Sequence, residues 1–132
     1  MSSPVDTTLR DVMLVAVGGA AGSALRYGIG RLMGPTADAA FPWHTFLINA
    51  TGSFAIGLLL VAAARLGWPG WWRPLLALGL LGGYTTFSTF ALESVELMLR
   101  GSYALAATYS LGSLAVGLAA AAGGIFLGRA LL

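Results

Sequence analysis

The chain has 132 residues, of which 58% are hydrophobic and 9% charged, against about 25% charged in an ordinary soluble domain. Its net charge of +2 comes from seven arginines and no lysine, scattered along the chain, and this excludes the clustered basic face that a nucleic-acid partner requires. With no cysteine, disulfides and thiolate chemistry are excluded as well.

Lipid is the solvent that such a composition fits. The apolar residues fall into four runs, each near the roughly 20 residues needed to cross a bilayer. The predicted fold is all-α: a polytopic membrane protein of one domain over 1–132, with transmembrane helices at about 9–33, 42–64, 74–99 and 103–127. Met1 to Arg10 lacks the basic start and apolar run of a secretory signal, so the first helix is expected to be retained. Thr8 and Asp11 have the spacing of a capping pair at its start.

Helix one places Gly18, Gly22, Arg26 and Gly30 at spacing four, on one face. The glycines read as a seam for close helix packing. Arg26 either snorkels to an interface or finds carbonyls inside the bundle. Gly34-Pro35 stops the helix. Pro42 suits the first turn of helix two, and Trp43 and His44 follow at the interface. On that helix Asn49, Ser53 and Gly57 again share a face; Asn49 either ties helices together or contacts an ion.

The segment from Leu66 to Pro74 carries three tryptophans and suits the headgroup layer. Helix three contains Gly82-Gly83-Tyr84-Thr85-Thr86, weak helix formers whose hydroxyls can bond to nearby backbone. An interruption at mid-membrane is expected there, against the alternative of a continuous helix with a packing seam. Unwound carbonyls at such depth commonly bind cations. Phe87 and Phe90 share a face beyond the break, and Glu93 is the expected buried carboxylate, since Glu96 has Arg100 four residues on. Helix four carries Tyr109, Ser113 and Gly117 at spacing four, a track for helix association or for a narrow polar path. Four arginines fall on one side and three on the other, too even to set a topology. No nucleophile with a base, phosphate loop or side-chain metal cluster appears in the sequence, so an enzyme is not expected.

Three stretches, Gly18 to Tyr27, Thr45 to Phe54 and Gly82 to Phe90, resemble the signature segments of the Fluc (CrcB) fluoride channel family. The resemblance covers essentially the whole chain. It implies a dual-topology antiparallel homodimer in the inner (plasma) membrane, with two pores passing fluoride ion passively outward and protecting the cell from its toxicity. It also implies that Phe87, Phe90, Asn49, Tyr109, Ser113, Thr86 and Glu93 line the fluoride path, with Arg26 near a vestibule. Gly82 and Thr85 would offer backbone carbonyls to a structural sodium ion at the dimer interface. Gly117 departs from members that carry a hydroxyl there, which would shorten the polar track. The alternative is a small dual-topology proton-coupled multidrug exporter, which needs an embedded carboxylate on helix one, where none follows Asp11. A non-transporting assembly protein is a third reading.

Overall fold

The computed structural model describes residues 4–36 and 40–132. Among the described residues every regular element is helical, and four helical stretches are long and apolar enough to cross a membrane: Thr8–Met33, Trp43–Leu66, Arg73–Leu99 and Tyr103–Leu131. The chain is a multi-pass membrane protein.

Helix α1 runs over Pro4–Met33, with proline in its first turn, where a missing amide costs nothing. Thr8 and Asp11 therefore lie inside the helix and do not cap it. Asp11 Oδ1 instead accepts from Arg10 Nε at 3.0 Å and Nη2 at 2.8 Å. At 1.5 Å per residue α1 is about 45 Å long, more than the hydrocarbon layer requires. Helix α2, Trp43–Leu66, starts where the Pro42 carbonyl accepts from the Phe46 amide at 3.1 Å. It ends on Gly67 in the left-handed conformation at φ 64°, a backbone state that suits glycine.

The third span is built in pieces. Arg73–Leu81 is wound as a π-helix, and the Gly82 amide reaches back to the carbonyls of Ala77 and Gly79. A single α-helical turn, α3 at Gly82–Tyr84, continues it. Thr85 (φ −83°, ψ 158°) and Thr86 (φ −149°, ψ 120°) are extended. Helix α4 then covers Phe87–Leu99, with Thr86 Oγ1 accepting from the Thr89 amide at 3.2 Å as its N-cap. After Gly101, at φ 78°, helix α5 takes Tyr103–Leu131.

Helix α1 lies along the π segment and α3, α2 lies along α5, and α4 leans on α5. Close approach is made by glycine. A Cβ on Gly22 would meet the backbone of Leu80 and Tyr84, and one on Gly124 would meet that of Phe54 and Leu58. Such contact lets dispersion forces and backbone approach hold helices together where lipid offers no hydrophobic drive. Much of the apolar surface faces outward, Leu32 at 90% and Leu99 at 81% exposure among it. That surface suits lipid or a neighbouring chain.

Candidate functional site

The residues that the sequence singles out gather around the junction between α3 and α4. A continuous helix would give the Thr86 amide to the Gly82 carbonyl. Here that amide goes to Asn49 Oδ1 at 2.8 Å, while Asn49 Nδ2 donates to the Thr86 carbonyl at 3.0 Å. One side-chain amide on α2 thus satisfies both backbone groups of an extended residue, as a β-strand neighbour would. Similarly, the Thr89 amide, which would bond the Thr85 carbonyl in a regular helix, goes to Thr86 Oγ1. The carbonyls of Gly82 and Thr85 both lose their helical donors in this way.

Arg26, on α1, donates through Nε to the Gly83 carbonyl at 3.0 Å. Of the two fates open to it, finding a carbonyl inside the bundle is the one adopted. It lines a cavity of about 690 Å³ together with Arg31, His44, Thr45, Thr86 and Thr89. A second cavity, of about 330 Å³, is lined by Asn49, Gly82, Thr85, Thr86 and Phe87. Thr86 lies on the walls of both.

Glu93 is the centre of a separate cluster further along α4. Its Oε1 accepts from Thr45 Oγ1 at 2.9 Å and its Oε2 from Tyr109 Oη at 2.6 Å. Thr45 is 1% exposed and Tyr109 is fully buried. Two hydroxyl donors, one on each carboxylate oxygen, compensate for the water that the group gives up. The Tyr109 ring meets those of Phe41 and Phe90 in tilted contacts, each with its ring centroid 5.3 Å away. Phe87 lies 5.7 Å from Phe90, ring to ring, but is 79% exposed and turns outward.

Phe90, Glu93 and Tyr109 therefore come together, as do Asn49, Thr85 and Thr86, while Phe87 stands at the rim. Ser113 joins neither group by a hydrogen bond: its hydroxyl is buried and has no partner among the described residues. Gly82 and Gly83 are helical, and the extended backbone is confined to Thr85 and Thr86. Thr45, Phe41 and His44 belong to the site without having been singled out for it. Thr45 had a signal, since it precedes Asn49 by four and extends the same polar stripe by one turn. Among the described residues, no three His, Asp or Glu side chains cluster as metal ligands would.

This arrangement offers hydroxyl and amide donors, aromatic ring edges and an arginine-lined cavity. A family model described as CrcB-like protein, Camphor Resistance (CrcB) matches residues 13–125, which include the glycine seam, the extended pair and the Glu93 cluster. A protein of Thermus thermophilus named fluoride-specific ion channel FluC is 47% identical over 120 residues, covering 91% of this chain and 96% of its own. One of the same name from Agrobacterium fabrum is 48% identical over 124 residues, covering 90% and 96%. With likeness of this depth across nearly its full length, the chain belongs to the CrcB family.

Proposed function

We propose that this chain forms a fluoride-specific ion channel, passing fluoride passively down its electrochemical gradient and so protecting the cell from fluoride toxicity. The observation that carries the reading is the breadth of the likeness: relatives named for that activity are 47% and 48% identical over 91% and 90% of this chain. It is a channel and not an enzyme.

The local chemistry supports it. Fluoride is small and strongly hydrated, so a path across lipid must replace water contacts without binding the ion too tightly to leave. Phenylalanine ring edges carry positive electrostatic potential. Phe90 and Phe87 supply such edges beside the junction, and one Asn49 amide hydrogen remains after the bond to Thr86. The Ser113 hydroxyl is a further donor. Arg26 and Arg31 make the wall of the larger cavity positive, which draws anions in.

The reading extends to two copies inserted in opposite senses in the inner (plasma) membrane, supported by the even split of arginines and by the outward-facing Phe87, which a second chain would cover. The Gly82 and Thr85 carbonyls, deprived of helical donors, suit a hard alkali cation, and sodium would clamp the extended backbone at the subunit contact. The multidrug-exporter alternative gains no support: no acid follows Asp11 on α1, and Asp11 is already bonded to Arg10 near the helix start.

The test is fluoride efflux from liposomes holding the purified chain, followed with a fluoride electrode beside a chloride control. Fluoride flux without matching chloride flux is expected, and Phe90→Ile or Phe87→Ile should slow it while leaving the oligomer intact. Equal chloride flux, or none of either ion, would sink the channel reading; unchanged rates would remove those rings from the path.

A further inference from the structure

His44 lines the larger cavity but has been given no role in conduction. It is the single histidine of the chain, 28% exposed on the wall of the larger cavity. Its Nε2 lies 3.2 Å from Thr45 Oγ1 and 3.7 Å from Glu93 Oε1, and its Nδ1 lies 3.4 Å from Thr36 Oγ1.

A count of protons assigns the tautomer. Thr45 has one hydroxyl hydrogen, and it goes to Glu93 Oε1. At Nε2 the ring must therefore be the donor, which leaves Nδ1 of the neutral ring to accept from Thr36. When Nδ1 takes up a proton it becomes a donor, and the Thr36 hydroxyl rotates to accept. Every polar atom of the ring keeps a partner in either charge state, so protonation forfeits no hydrogen bond.

The electrostatic consequence falls on Glu93. The titratable groups facing the ring among the described residues are Arg26, Tyr27 and Arg31 from α1, Glu93 from α4 and, joined through Glu93, Tyr109 from α5. Glu93 is the one acid of that set. With a neutral ring its carboxylate has hydroxyl donors but no cation paired with it beside the tilted Phe90 and Tyr109 rings, and it repels an approaching anion. With a charged ring, an ion pair cancels that charge and leaves Arg26 and Arg31 unopposed on the cavity wall. Histidine is the side chain whose charge ordinarily changes between about pH 5 and 8.

We propose that His44 is a positioning residue for the transported anion, acting through Glu93, so that conduction falls as rising pH discharges the ring. This rests on the channel reading, and the test separates the two. Fluoride efflux from liposomes holding the full-length chain is measured between about pH 6 and 8, with the leak of hydrogen fluoride through protein-free liposomes subtracted. Wild-type flux is expected to be about threefold faster at the acid end, a modest effect for a charge facing an ion path. His44→Gln should flatten the profile. His44→Lys should flatten it too, with flux about threefold above that of His44→Gln at the alkaline end, a difference no merely structural role produces.

A flat wild-type profile, or the wild-type slope retained in His44→Gln, overturns the proposal and leaves the channel standing. No fluoride flux at any pH overturns the channel reading and this proposal with it. If the variants do not reconstitute, the sole histidine still permits a check on the wild type. Its ring protons, followed by NMR, should titrate with the midpoint of the flux profile, and midpoints more than about one pH unit apart overturn the assignment.

Discussion

Asn49 gives one side-chain amide to both backbone groups of Thr86, at 3.0 and 2.8 Å. Asn49→Leu removes donor and acceptor together and leaves an amide and a carbonyl unpaired in a part-buried setting, at a cost of about 2–4 kcal/mol. Asn49→Asp keeps the acceptor for the Thr86 amide and should lose less. Unfolding in detergent, followed by the fluorescence of the four tryptophans, measures both, and an Asn49→Leu chain as stable as wild type would mean that the pair contributes nothing. Fluoride flux in Asn49→Leu should fall at least about tenfold, because the extended residue it holds lines both cavities. The sequence marks Asn49 as polar within an apolar span, which is enough to expect a partner and not enough to name one. Thr86 lies 37 residues away, and no periodicity within α2 reports on it. His44 shows the same gap: read alone it is an interface histidine, and only the packing of α2 on α4 sets it beside Glu93.

Among the elements, α1 and the third span depend on backbone contact. Gly22→Val would drive a side chain into the Leu80 carbonyl and the Tyr84 amide, neither of which can swing aside as a flexible side chain would. Separation of α1 from the π segment should cost about 3 kcal/mol or more. Gly28, six residues on in the same helix, meets nothing within 4 Å of an added Cβ, so Gly28→Ala should be neutral or gain up to about 1 kcal/mol from helix propensity. The same unfolding assay compares the pair. Equal losses at both positions would show that glycine is needed for something other than packing. The seam was legible from glycines at spacing four. The winding of Arg73–Leu81 was not, because Leu, Ala and Gly carry no signal that separates a π-helix from an α-helix. Confinement of the extended backbone to Thr85 and Thr86 follows from the Asn49 and Thr86 side chains that satisfy it, and composition alone spreads the expectation over the preceding glycines as well.

At the scale of the whole molecule, the hydropathy pattern made four spans legible, since their length and apolar content are set residue by residue along the chain. How the spans insert is a property of balances. Along the sequence Arg10, Arg65, Arg73 and Arg129 fall toward one side of the spans, and Arg26, Arg31 and Arg100 toward the other, with Arg26 turned into the bundle. A difference of one arginine gives the insertion machinery little to choose by, since it is the excess of basic residues on one side that sets orientation. Both orientations should then be populated, as an antiparallel pair requires. The chain contains no cysteine, so Leu132→Cys introduces a single thiol at the end of α5, available to an impermeant maleimide wherever that end faces outward. Intact cells should label about half of the chains, and lysed cells all of them, if neither orientation prevails. Adding two arginines beside Arg129 should shift the labelled fraction well below half and, by depriving each copy of an inverted partner, lower fluoride flux in step with it. Complete labelling or none in the intact wild type would mean a single orientation, and the two-copy antiparallel arrangement would fall while the assignment of the Asn49 and Glu93 clusters within one chain would stand.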